Sequence, residues 1–179
     1  QNSGFKPCPC YGEDGIFKEI FSVIGLNETP KVIEFGEHRV LGTTTRYLRI
    51  EKYAKALYFA GDYGMKSFFL NILDICKVVK KLQFKYLKFL FNMPKKAIGS
   101  KLNIVNLILK KFKPSEIDQL VIDIDSNDYE IIEIILKNQI FPKVLVVEYN
   151  PSLGHDKLFL SETHLDMKTN PRQYGASYS

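Results

Sequence analysis

The chain has 179 residues, 45% of them hydrophobic, 13% aromatic and 25% charged, with a formal net charge of +5 at pH 7. That length suits a single domain, residues 1–179, burying about 70% of the surface its unfolded chain would expose, so a core forms without staples. The composition excludes a disordered, collagenous or coiled-coil main state, and the odd set Cys8, Cys10 and Cys76, with no C-x-x-C spacing, excludes a disulfide scaffold.

Residues 1–13 read as a loose N-terminal segment. Ile16, Phe17, Ile20, Phe21 and Ile24 then recur at helical spacing between Asp14 and Gly25, which predicts an amphipathic helix over residues 14 to 25. The period changes at Lys31 to Gly36 (KVIEFG), a β-rich run after Pro30 that hands over to a loop. Thr43, Thr44 and Thr45 offer N-caps for a helix to about Ala54, and Ala56 to Ala60 (ALYFA) reads as a second buried strand. Phe68, Phe69, Ile72, Leu73, Cys76 and Val79 make a helical stripe, and Phe84 to Phe91 is the third predicted strand. A helix follows over Asn103 to Phe112, stopped by Pro114. Gln119 to Asp123 (QLVID) is strand four, Tyr129 to Lys137 a helix, and Lys143 to Tyr149 (KVLVVEY) strand five, after which residues 152–179 read as an irregular tail.

Strands alternating with helices at this spacing predict an α/β protein with a doubly wound, mostly parallel sheet and helices on both faces. No apolar run approaches the roughly 20 residues of a membrane span and no basic-then-apolar leader opens the chain, so no membrane partner and a reducing, cytoplasmic location are expected. The lysines crowded between Lys77 and Lys113 alternate with core-type residues and are not the bidentate Arg that reads phosphate. They read as solvated faces, which disfavours nucleic acid as a partner. His38, His155 and His164 show no ligand spacing, so no metal site is expected.

In open parallel sheets ligands bind beyond the C-terminal strand ends, where strand order reverses. Those ends here are Glu34 to Glu37, Ala60 to Asp62, Asp123 to Asp128 and Glu148 to Pro151, and each carries an acid. Acids after strands one and two suit the ribose hydroxyls of a nucleoside, and Gly36 would permit a close backbone approach by its tail. Glu34 is equally readable as a satisfied structural carboxylate. The absence of G-x-G-x-x-G and of a Walker A Lys argues against NAD and NTP hydrolysis. The run Asp123 to Tyr129 (DIDSNDY) gathers three Asp and an Asn at a strand end, where mutual repulsion must be offset by a cation, a ligand or helix capping by Asn127 or Asp128. Magnesium-dependent phosphoryl transfer through an aspartyl phosphate and metal-assisted glycosyl transfer both use D-x-D after a strand.

Five segments, YGEDGIFKEIF (11–21), VIEFG (32–36), LGTTTRYL (41–48), LVIDIDSNDY (120–129) and VLVVEYNP (144–151), fall in an order that resembles FkbM-type S-adenosylmethionine-dependent methyltransferases. The resemblance implies a class I methyltransferase fold, Rossmann-like, with S-adenosylmethionine as cofactor and methyl transfer to an oxygen of a carbohydrate or secondary metabolite. It implies that Glu34, Gly36, Thr43 and Thr44 lie by the methionine moiety, with Asp62 serving the ribose where strand two ends in Ala60. It places Asp123, Asp125 and Asn127 at the methyl-transfer centre, with Asp125 or Asp123 the candidate base. Asp128, Glu148 and Asn150 are the candidates for holding a small-molecule or glycan acceptor. Because the family's sheet continues past a segment resembling residues 173–179, its last antiparallel strands are expected to be missing, leaving residues 143–149 as an edge that could pair in a homodimer. The alternatives are a non-catalytic module of the same fold and, on D-x-D alone, a metal-dependent glycosyltransferase.

Overall fold

The structure is a computed structural model and describes residues 13–36, 43–59, 95–97, 103–124 and 128–148. Five strands, β1 (Lys31–Phe35), β2 (Lys55–Phe59), β3 (Lys95–Ala97), β4 (Gln119–Ile122) and β5 (Val144–Val147), form one sheet in the order β3-β2-β1-β4-β5. Every neighbouring pair is parallel. The described helices are α1 (Glu13–Ile24), α2 (Arg46–Glu51), α3 (Ile104–Lys111) and α4 (Asp128–Lys137), with a 3-10 turn at Pro114–Glu116.

A parallel sheet covered on both faces has no wet side, so its strands read as continuous apolar runs. Register then sorts the side chains. Ile33 aligns with Leu57 and Leu120, and Phe35 with Phe59 and Ile122. These six pack with Ile104, Ile108 and Phe112 from α3 and its end, and with Ile131 and Ile135 of α4. The Phe35 and Phe59 rings stack with centroids 4.3 Å apart. The alternate residues Val32, Ala56 and Tyr58 face the other way, onto Phe17 and Phe21 of α1 and Tyr47 and Leu48 of α2. The result is a three-layer α/β/α arrangement, compatible with a Rossmann-like fold.

At the N-terminal ends of the strands a buried acid ties the layers together. Asp118, just before β4, accepts the Asn27 N–H at 3.0 Å, the Asn27 side-chain amide at 3.1 Å and the Lys31 N–H at 2.9 Å. The Lys143 ammonium, before β5, lies 3.0 Å from the same carboxylate and also donates to Asn27 Oδ1. Lys31 in turn pairs with Glu116, whose carboxyl this hydrogen bond holds below its usual range.

Several boundaries differ from the sequence expectation for local reasons. Glu13 belongs to α1 and not to the loose segment expected over residues 1–13. The helix expected to reach Ala54 ends at Glu51, because Tyr53 takes a φ of 53° and the Ala54 N–H donates back to the Leu48 carbonyl at 3.0 Å. The strand beside β2 is Lys95–Ala97, whereas the aromatic run 84–91 had the stronger strand pattern and lies outside the described residues. β3 is an outermost strand of the described sheet, a position where lysines are well tolerated. β5 is outermost on the other side, with Leu145 38% exposed, while the tail over residues 152–179 lies outside the described residues. Among the described residues no helix is long and apolar enough to cross a membrane.

Candidate functional site: the ends of β1, β4 and β5

The chain runs outward from β1 through β2 to β3, then returns to place β4 on the opposite side of β1. Strand order therefore reverses between β1 and β4, and their C-terminal ends flank the crevice where such sheets hold ligands. Gly36 and Asp123 stand one residue past these strands. The Gly36 N–H donates to the Phe59 carbonyl at 3.0 Å and the Asp123 N–H to the Phe35 carbonyl at 3.2 Å, so both ladders continue one step beyond the strands. Gly36 has a φ of +104°, and a Cβ built there would lie 1.5 Å from the Asp123 carbonyl oxygen. The glycine is thus demanded by the backbone leaving β4, where the sequence suggested the tail of a ligand.

Beyond Asp123, which is exposed, Ile124 turns back toward the core, and its N–H donates to Asp128 Oδ1 at 3.0 Å. Asp128 is 1% exposed and opens α4. It therefore accepts an amide from before the helix, four residues earlier in the chain. Glu148, half-buried, continues the ladder past β5 with its N–H on the Ile122 carbonyl at 3.1 Å. Asp123 and Glu148 consequently occupy neighbouring strand ends. Asp62, Asp125, Asn127 and Asn150 lie outside the described residues.

The acid of β1 is placed differently. Glu34 points to the α1/α2 face and is 2% exposed. Its Oε1 accepts the Thr44 N–H at 2.9 Å, and its Oε2 accepts the Thr45 N–H at 3.3 Å and the Thr45 hydroxyl at 2.6 Å. Thr45 occupies the N-cap position of α2 as expected, yet makes no side-chain cap bond, because its hydroxyl is committed to Glu34. Tyr58 from β2 lies 2.8 Å from that hydroxyl and receives a hydrogen bond from Arg49 Nη1 at 2.6 Å, with the guanidinium 4.9 Å from the Tyr58 ring centroid. Burial pushes the Glu34 carboxyl up to about 7 against the pull of these donors and of Arg49. Burial and the neighbouring Glu34 raise the Tyr58 phenol as well.

The structure thus brings together two sets of the expected residues: Glu34 with Thr44 beside buried Thr43, and Gly36 with Asp123 near Asp128. Sequence reasoning passed over Thr45 as more than a cap, and over Arg49, Tyr58 and Asp118. A signal existed for the first two, since Thr45 and Arg49 are four apart and must share a helix face, and that face meets an inward position of β2. Among the described residues no group of three His, Cys, Asp or Glu is placed to hold a metal ion. What the crevice offers chemically is two acids on the neighbouring ends of β4 and β5, Asp123 and Glu148, a set suited to a cationic or hydroxyl-bearing ligand. No protein-family model, no curated protein and no solved structure matches this chain.

Proposed function

We propose that the protein is an S-adenosylmethionine-dependent methyltransferase domain acting on an oxygen of a carbohydrate or secondary metabolite. The observation that carries this reading is the reversal of strand order at Gly36 and Asp123, with acids on the ends of both β4 and β5. The acidic ends of β4 and β5 suit, in charge, a cofactor that carries a sulfonium and an ammonium, and Asp62 would serve its ribose. When bound, the cofactor supplies a methyl group on positively charged sulfur, open to in-line attack by the acceptor oxygen.

This chain's own residues would align the acceptor and take its proton. Asp123 is exposed at the switch point and is the described candidate for the base, with Asp125 its partner in sequence. Glu148, on the neighbouring strand end, would bind acceptor hydroxyls. Glu34, with both carboxylate oxygens engaged by the Thr44–Thr45 turn, shapes the crevice by holding that turn. Catalysis is then mainly alignment of donor and acceptor, with proton removal adding to it.

Calorimetric titration with S-adenosylmethionine and its demethylated product tests the reading. Saturable heat with both is expected, weakened by substitution of Asp62. No heat and no thermal shift at millimolar cofactor would overturn it. The reading that would then stand is a non-catalytic module of the same fold, which one observation already favours: the space above Gly36 is filled by the chain's own Asp123 carbonyl.

A further inference from the structure

Arg49 donates hydrogen bonds and accepts none, which gives direction to the buried chain it begins. Its Nη1 donates to the Tyr58 oxygen, so the Tyr58 proton is free to go to Thr45 Oγ1, and the Thr45 proton to Glu34 Oε2. That sequence of donors ends on a carboxylate and suits its charged form. A protonated Glu34 would instead donate to Thr45 Oγ1, turning the Thr45 proton onto Tyr58 and the Tyr58 proton elsewhere. A receiver is present. The Thr43 hydroxyl, in a residue 4% exposed, stands beside the Tyr58 hydroxyl and eases its ionisation, yet makes no well-formed hydrogen bond in the observed arrangement.

We propose that Glu34, Thr45, Tyr58 and Thr43 form a proton-operated latch with two hydrogen-bond chains, one through Thr45 onto charged Glu34 and one from protonated Glu34 through Tyr58 onto Thr43. The latch spans β1, β2 and the Thr43–Thr45 turn that leads into α2. Switching therefore re-orients the hydroxyls of that turn without moving a helix. Among the described residues the charged and titratable groups facing Glu34 are Arg49 from α2 and Tyr58 from β2, and its register neighbour on β4 is the apolar Val121. On the α1 side the buried acid is Asp14, which faces Arg46 at 3.8 Å. Burial of Glu34 moves its proton exchange to near neutral pH, where the two chains interconvert under ordinary conditions.

The latch belongs to the protein without any ligand, so its test does not depend on the methyltransferase reading. The carbonyl-carbon NMR shift of the Glu34 side chain, followed against pH in the labelled chain, reports the proton directly. A midpoint near the value of about 7 is expected, with the Thr44 and Thr45 amide shifts moving at the same midpoint. Thr43→Val removes the receiver that only the protonated chain uses. It should lower the midpoint by on the order of half a pH unit or more, since one net hydrogen bond is worth about 1 kcal/mol. In a Tyr58→Phe background, which cuts the path to Thr43, Thr43→Val should leave the midpoint unchanged. A wild-type midpoint in the ordinary range of a glutamate, threonine amides that ignore it, or the same shift on both backgrounds would each overturn the latch. Because the first two measurements use the unaltered chain, a variant that fails to fold does not remove the test.

Discussion

At the scale of single residues, Gly36 and Glu34 are each explained by what they touch. Gly36 is the sharpest case, since both its positive φ and the Asp123 carbonyl behind it exclude a side chain. Gly36→Ala should therefore destabilise by more than about 3 kcal/mol or abolish folding, which urea denaturation would read out; a loss within 1 kcal/mol would show that β4 can retreat. Glu34 makes stability depend on pH in a definite direction. Its folded value of about 7 stands above the ordinary 4.5, so the folded chain binds this proton more tightly than the unfolded chain does. The contribution is whole below pH 4.5 and is lost as pH rises through 7, amounting to at most about 3 kcal/mol. Glu34→Gln should flatten the melting temperature between those limits relative to the parent, and an unchanged slope would refute the assignment. The sequence could pose the choice between structural acid and ligand contact at Glu34. It could not resolve it, because the deciding donors are backbone amides ten and eleven positions away.

At the scale of elements, what was legible followed from periodicity and what was not followed from tertiary competition. The runs KVIEF, ALYF and QLVI stand out because a doubly covered sheet leaves no polar alternation, and all three are strands. β3 was hidden, since a three-residue outer strand with two lysines carries little pattern of its own. Helix ends were legible where glycine marks them, as at Gly25 with a φ of 75°, and obscure where another residue takes the left-handed position. α4 ends that way. The Gln139 N–H donates to the Leu136 carbonyl at 2.9 Å and the Ile140 N–H to the Ile135 carbonyl at 3.2 Å, with Gln139 at a φ of 58° and Ile140 fully buried. These paired bonds and the left-handed residue make a Schellman motif with glutamine where glycine is favoured. Gln139→Gly should thus stabilise by about 1 kcal/mol by relieving the side-chain clash, a gain of a few degrees in melting temperature. A loss of stability would mean that the entropy of the added glycine outweighs the relief.

At the scale of the whole molecule, the two ends of one parallel sheet have been given opposite tasks. At the N-terminal end Asp118, its side chain wholly buried, holds Asn27, Lys31 and Lys143, and so joins the segments entering β1, β4 and β5. Its partners include two backbone amides, of Asn27 and Lys31, that would lose this acceptor if it were removed, and a lysine that would lose its counter-charge. At the C-terminal end Asp123 is exposed at the point where strand order reverses, and its backbone carbonyl stands against Gly36. A buried acid that satisfies several donors and an exposed acid beside a crevice should respond to substitution in opposite ways. Asp118→Ala should cost about 3 kcal/mol or more in urea denaturation, while the folded fraction binds S-adenosylmethionine with unchanged affinity. On the proposed methyltransferase reading, Asp123→Asn should stay within about 1 kcal/mol of the parent in stability and lose turnover. Two variants, each measured for both stability and ligand response, give four results, and only the crossed pattern agrees with this division. Loss of stability in Asp123→Asn would make the end of β4 structural and transfer the search for a base to Asp125. Unchanged stability in Asp118→Ala would mean that the segments entering the sheet are held by apolar packing alone.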